Sequence, residues 1–393
     1  MILPEQAIAQ LYQKEWQNRV HCKARLKGER AFPIEIALKP PKSGNLLLKQ
    51  TALFEQFVTS WQNQPCCFKI EWRARQYRHF GEQQVPTKWI IPNWDNLVEV
   101  LGEKVKYQFE SWKTKLAFLL ETLPAQSALF HVFIDHLEQI EEFSLEDLSL
   151  FRDVVPQLKP QMGKGDYLRA LPLVGVDTKF VECHFRLLED VLNVLYDGEV
   201  KAKGLLSWLN CKAKPKDWLL VKPLCPQTQQ ALGNLPLLRL SSETLWNYML
   251  PAKRILIVEN EQSCLALPVL RETIAVAGGG KNVTWLAANW LKDKKIGYWG
   301  DIDSDGFHIL SLARERCPNL TALMMDEQTV LTFQGRMVDE PQSLNQIPPN
   351  LTMQEQQLFQ RLRQGDYGKT RLEQERVNAD YIEKCLLDWL EGV

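Results

Sequence analysis

Several things are missing from this sequence, and each absence excludes something. No apolar run approaches the ~20 residues that a membrane-spanning helix needs. The N-terminal stretch MILPEQAIAQLYQKEW is too polar for a signal peptide, so a cytoplasmic protein without membrane association is expected. The nine cysteines include no CxxC pair. The nearest approach, Cys66-Cys67, is adjacent and too close for an ordinary bridge, which leaves a reduced protein without a thiolate zinc site. His131 and His136 are five residues apart, a spacing that does not put two ligands on one helix face. No internal repeat is visible. Net charge is nearly absent too, with 47 Lys+Arg against 48 Asp+Glu.

What is present is ordinary globular composition, 45% hydrophobic and 24% charged, which excludes disorder and fibrous low-complexity classes. At roughly 100–200 residues per domain, the 393 residues suggest two or three domains, each with its own core. The small net charge of −1 conceals a segregation. Residues 1–50 carry nine basic and four acidic side chains, residues 201–300 carry fourteen and six, and residues 101–150 carry four and nine. Such local basic surfaces suit a polyanion, although charge fluctuates along any chain and composition alone does not decide.

The expected fold class is α/β with three regions. Residues 1–150 form an N-terminal mixed α/β domain. Short β-type runs (32–38, 67–72, 88–91) precede a mainly helical stretch over 98–155, where apolar positions recur at three and four. Arg73, Arg75 and Arg78 cluster around Tyr77. Residues 151–249 form a small winged-helix-like middle region. Asp177 or Thr178 caps a helix there, with Glu182 behind it in the manner of a capping box. Lys212, Lys214 and Lys216 make its second half basic, and Trp208, Trp218 and Trp246 are expected to be buried. Residues 250–393 alternate strand and helix. RILIVEN, TIAVAGGG, KIGYWGD and LTALMMD read as strands, with helices through Gln262–Leu270, NVTWLAANWL and GFHILSLARER. This alternation argues for an open parallel sheet with crossover helices.

In such sheets, sites form at the carboxyl ends of the strands. One strand ends in Val258-Glu259-Asn260-Glu261, another in Gly278-Gly279-Gly280, and a third in Gly300-Asp301-Ile302-Asp303-Ser304-Asp305-Gly306. The alternate spacing of Asp301 and Asp303 points both to one side of an extended backbone. Glu259, on an adjacent or near strand, can join them. A hard divalent cation, Mg²⁺ or Mn²⁺, would neutralise such a cluster, because these ions prefer oxygen ligands and keep water for phosphate oxygens. The rival readings are weaker. An EF-hand loop would need Glu where Leu312 stands, and a helix rather than a strand before it. A P-loop would need Gly where Ala275 stands. A solvated acidic turn remains the plain alternative.

Strand–Glu, Gly-turn, strand–DxD is the layout of the Toprim fold. VENE, YWGDIDSDGF, LMMDEQT and RLEQERV, in that order, resemble the C-terminal domain of the nuclease subunit of Wadjet systems, JetD, also described as MksG. QQVPTKWIIPNWDNLVEVLG and YLRALPLVGVDTKFVE resemble that family's first domain. The Lys-rich stretch 201–226 fits the family's connecting sequence poorly. The resemblance implies a C-terminal Toprim domain in a homodimeric, metal-dependent endonuclease related to the topoisomerase VI A subunit. It further implies partners: double-stranded circular plasmid DNA, an SMC-type motor, its kleisin and an accessory subunit. The family's catalytic, metal-binding acids map onto Glu259, Asp301 and Asp303, with Asp305 and Glu261 as further ligands, for two cations per site. Two cations would activate water on one side of the phosphodiester and stabilise the leaving oxygen on the other.

Arg73, Arg75, Arg78, Lys212, Lys214, Lys216 and Lys281 are the candidate DNA contacts. Glu373 and Glu375, in RLEQER, are expected on a helix, where one faces the site or both pair with Arg371 or Arg376. A topoisomerase-like transesterase would need a nucleophilic Tyr, for which only Tyr167 lies in the right region, and nothing beside it marks a nucleophile. A DNA-binding adaptor whose acids hold a structural ion is the non-enzymatic alternative.

Overall fold

Runs of β-branched and aromatic residues bounded by turns become strands in both halves of the chain. The computed structural model describes every residue except 66, 67, 122, 342, 343 and 393, so the adjacent pair Cys66-Cys67 lies outside the described residues. The seven described cysteines are free. The chain divides into two units, Met1–Ala213 and Lys214–Val393. Among the described residues, no helix is long and apolar enough to cross a membrane.

In the first unit, β1 (Ile34–Ala37), β2 (Lys69–Tyr77) and β3 (Gly81–Ile91) form an antiparallel sheet of order β1-β3-β2. The β2–β3 hairpin closes through the Tyr77↔Gly81 pair, with a bulge at Glu71/Trp72. Trp89 on β3 is fully buried with Phe57 and Trp61 of the helix Thr51–Gln62. Helices then run from Trp94 to Val154 as the apolar spacing predicts, and Leu129, Phe133 and Phe151 centre their core. Asp177 caps the helix Thr178–Cys183 by accepting from the Lys179 amide at 2.7 Å. Glu182 pairs with Arg169.

The second unit holds a six-stranded sheet of order β5-β4-β7-β6-β8-β9. Its strands are β4 (Trp218–Pro223), β5 (Leu238–Ser241), β6 (Arg254–Val258), β7 (Thr273–Ala277), β8 (Lys295–Trp299) and β9 (Thr321–Ala322). The strands β7, β6, β8 and β9 are mutually parallel, as the alternating pattern requires. Both faces are covered, which is why these strands read as continuous apolar runs. Ile255, Ile257, Ile274, Val276, Ile296 and Tyr298 enter one core cluster, while Leu256, Val258, Ala275, Ala277 and Trp299 enter another. Each buried Ile, Leu or Val stabilises this layer by about 1.5–3 kcal/mol relative to exposure.

Several expectations are corrected. Residues 214–249, placed by sequence in a winged-helix-like middle, belong to the second unit. There β4 runs antiparallel to β7, and β5 antiparallel to β4. The run WLLV favours this position, since Leu219 and Val221 enter one core cluster and Leu220 the other. Trp208 is buried, but Trp218 and Trp246 are 49% and 47% exposed. NVTWLAANWL is not one α-helix but two 3₁₀ turns, Thr284–Ala287 and Asn289–Leu291. The helix after β6 stops at Leu265, and the last strand keeps only Thr321–Ala322.

Candidate active site

Strand register builds this site. β6 and β8 are neighbours with Val258 opposite Trp299, so Glu259 and Gly300 leave the sheet side by side. The Glu259 amide donates to the Trp299 carbonyl at 3.0 Å, extending the ladder by one step. The Asp301 amide then donates to Glu259 Oε2 at 3.3 Å. Gly300 is required here: a Cβ would come within 2.7 Å of Glu259 Oε2 and 2.9 Å of the Tyr298 ring. Asp303 caps the helix Ser304–Arg316, its Oδ1 accepting from the Gly306 amide at 2.7 Å. That bond fixes one carboxylate oxygen and leaves the other, Oδ2, beside the Arg371 guanidinium.

A C-terminal segment crosses these strand ends. Leu372 and Ile302 exchange backbone hydrogen bonds of 2.9 and 3.1 Å, and Arg371 bridges Val338 in the same way. This crossing aims Arg371 at the acids. Its Nη2 lies 2.8 Å from Asp301 Oδ2, its Nε 2.9 Å from Asp303 Oδ2, and its Nη1 3.2 Å from Glu373 Oε1. Gln374 is buried and reaches three ways. Its amide donates to Asp301 Oδ1 at 2.8 Å, its side-chain nitrogen donates to the Trp299 carbonyl, and its side-chain oxygen accepts from the Asn260 amide. RLEQER is therefore not an α-helix; only Gln374–Arg376 forms a 3₁₀ turn. Glu373 pairs with both Arg371 and Arg376, and Glu375 accepts from Asn260.

Electrostatics follow from this packing. Burial, and then the charges of Asp301 and Asp303, push the Glu259 carboxyl up to about 7. Burial also raises Asp303, against the opposing pull of the Gly306 amide and Arg371. Burial, with Glu259 behind it, raises the Tyr298 phenol beneath the site well above its ordinary value. The cluster is thus under-neutralised by its one clamped arginine. Its donors are all oxygens, which fits a hard divalent cation rather than zinc or copper. Among the described residues, no three His, Cys, Asp or Glu side chains are grouped to hold a metal ion.

The other candidates lie elsewhere. Glu261 is held bidentately by Arg239, at 2.9 and 2.6 Å, and folds over Gly278, where a Cβ would lie 2.5 Å from its Oε1. Asp305 pairs with Lys281 at 3.1 Å. A cleft of about 320 Å³ opens beside the acids, lined by Gln262, Trp299, Gln374 and Glu375. In the first unit, Arg73 contacts Glu71, Arg75 donates to the Pro41 carbonyl at 3.3 Å, and Arg78 lies exposed in the hairpin turn. Lys212, Lys214 and Lys216 are exposed and make no ion pair among the described residues. Tyr167 is 46% exposed and forms a bridge with Lys212.

Arg371, Gln374 and Glu340 were not identified as site residues from sequence. Glu340 accepts from the Ser304 amide at 3.2 Å and pairs with Arg363 at 2.6 Å, supporting the turn after Asp303. Arg371 lies inside RLEQERV, one of the segments carrying the family resemblance, but a helical reading of that segment hides its reach to the strand ends.

Two family models match the chain. One, described as Wadjet protein JetD, C-terminal, matches residues 204–386. The other, described as the N-terminal part of an uncharacterized protein conserved in bacteria (DUF3322), matches residues 4–193. No curated protein matches.

Proposed function

The chain belongs to the JetD family of Wadjet proteins, and from that premise we propose that it is a divalent-cation-dependent endonuclease acting on double-stranded plasmid DNA. The observation that carries this reading is that Glu259, Asp301 and Asp303 directly follow the adjacent carboxyl ends of β6 and β8, with the Asp301 amide on Glu259 Oε2 and Arg371 bridging the two aspartates. Glu259, Asp301 and Asp303 would hold Mg²⁺ or Mn²⁺ in a Toprim-type site. When bound, the cation supplies Lewis-acid neutralisation of the phosphodiester and activation of water.

The chain's own residues prepare this chemistry. The Gly306 amide fixes one Asp303 oxygen, and the Gln374 amide fixes one Asp301 oxygen, so neither carboxylate rotates freely. Burial keeps bulk water from screening their charges. The exposed lysines near residue 214 supply phosphate contacts that orient the duplex without reading its sequence. Antiparallel strands related by a two-fold axis match a homodimer carrying two such sites. Wadjet membership also implies work within a complex containing an SMC-like motor.

Asp301→Ala and Asp303→Ala test the reading. Each should abolish plasmid cleavage while retaining DNA binding and a native melting transition. Wild-type cutting by either variant would remove that acid from the site. An inactive wild type that binds DNA equally with and without Mg²⁺ would favour an adaptor.

A further inference from the structure

The contacts of Arg371 point to a role that the acids alone do not disclose. We infer that Arg371 is the resident counter-ion of Asp301 and Asp303, competing with the divalent cation for the same oxygens and so setting how tightly the site takes it. This rests on the reading that these acids bind a cation.

The backbone of Arg371 is pinned on both sides: it exchanges hydrogen bonds with Val338, while the next residue, Leu372, pairs with Ile302. Only the side chain is free to choose a partner. It is 29% exposed and engages Asp301 Oδ2, Asp303 Oδ2 and Glu373 Oε1. The other oxygens of the two aspartates each accept a backbone N–H, Asp301 Oδ1 from Gln374 and Asp303 Oδ1 from Gly306. The two aspartate oxygens without a backbone donor are therefore the two beside the Arg371 guanidinium, which hydrogen-bonds Asp301 Oδ2 and lies 2.9 Å from Asp303 Oδ2. A guanidinium and a divalent cation drawn to these oxygens repel each other, because both are positive and would sit within a few ångströms. Glu373 already pairs with Arg371 through Oε1 and with Arg376 through Oε2, so an Arg371 released from the aspartates keeps one shared carboxylate in place of three partners. Cation loading thus carries the cost of releasing Arg371, and removing the guanidinium should remove that cost.

The test is calorimetric titration of Mn²⁺ into the full chain, as wild type, Arg371→Met and Arg371→Gln, without DNA. Circular dichroism and melting curves establish that each variant is folded. Arg371→Gln keeps a polar, uncharged but shorter side chain in case Arg371→Met does not fold. Both variants should bind Mn²⁺ about tenfold or more tightly than wild type, the scale of one charge-assisted hydrogen bond. Adding Asp301→Asn should cancel that gain. If wild type binds Mn²⁺ and neither variant binds it more tightly, the competition is wrong while the metal site stands. If the gain survives Asp301→Asn, the tighter site lies elsewhere and the inference fails. If no protein binds Mn²⁺, the inference and the metal reading fall together.

Discussion

Glu259 is the residue whose environment departs most from what its side chain prefers. Its carboxyl is buried beside two other acids, and it accepts from the Asp301 amide at 3.3 Å above the Tyr298 phenol. Its folded pKa, about 7, lies above the ordinary value of 4.5. An acid raised on folding stabilises nothing extra once ionised. Relative to an ordinary carboxyl, stability is intact below about 4.5 and is lost as pH rises from there to about 7. Glu259→Gln should therefore melt near wild type at pH 4.5 and gain roughly 2–3 kcal/mol over it at pH 8 without divalent cation. Denaturant titrations at the two pH values measure this. A variant less stable than wild type at pH 8 would show that the carboxylate is satisfied in a way these contacts do not include.

At the level of elements, the segment that crosses the strand ends matters as much as the strands. Gln374 satisfies the Asn260 amide and the Trp299 carbonyl from a buried position. Gln374→Ala should cost about 2 kcal/mol by orphaning those groups. Hydrogen exchange should quicken at Asn260 and Asp301 before it does in β7. Unchanged exchange at those amides would mean that the crossing segment does not brace the site.

The strands were legible because RILIV, TIAVA and KIGYW are buried on both faces, a condition that writes itself into composition. The acids were legible because they stand directly after those runs. Arg371 and Gln374 were not, because RLEQER has helical composition and its extended course is imposed by pairing with Ile302, far away in sequence. NVTWLAANWL misled for a local reason. Its buried residues Val283, Trp285, Leu286, Ala288 and Leu291 follow no steady helical spacing. The run at 218–221 was recognised as apolar, but nothing local says that it pairs antiparallel with β7.

At the scale of the whole molecule, a near-neutral chain carries exposed lysines at 212, 214 and 216, where its two units meet in sequence. Lys212→Glu with Lys214→Glu should weaken duplex binding and flatten its salt dependence, by about 0.9 in the log–log slope for each phosphate no longer neutralised. Filter binding or fluorescence anisotropy across a salt series would show it. A slope equal to wild type would place the phosphate-binding role on other side chains.

Hydrolysis by the Glu259–Asp301–Asp303 site is the central claim, and the chemistry of the cut ends tests it most directly. Circular plasmid would be incubated with the protein, with and without SMC-like Wadjet partners, and Mg²⁺ or Mn²⁺, then run on a denaturing gel with and without protease. Linear DNA should enter the gel equally in both lanes, Tyr167→Phe should cut as wild type does, and Asp301→Ala should leave the circle intact. Linear DNA that enters only after protease, together with an inert Tyr167→Phe, would mean that a tyrosine rather than water attacks the phosphodiester.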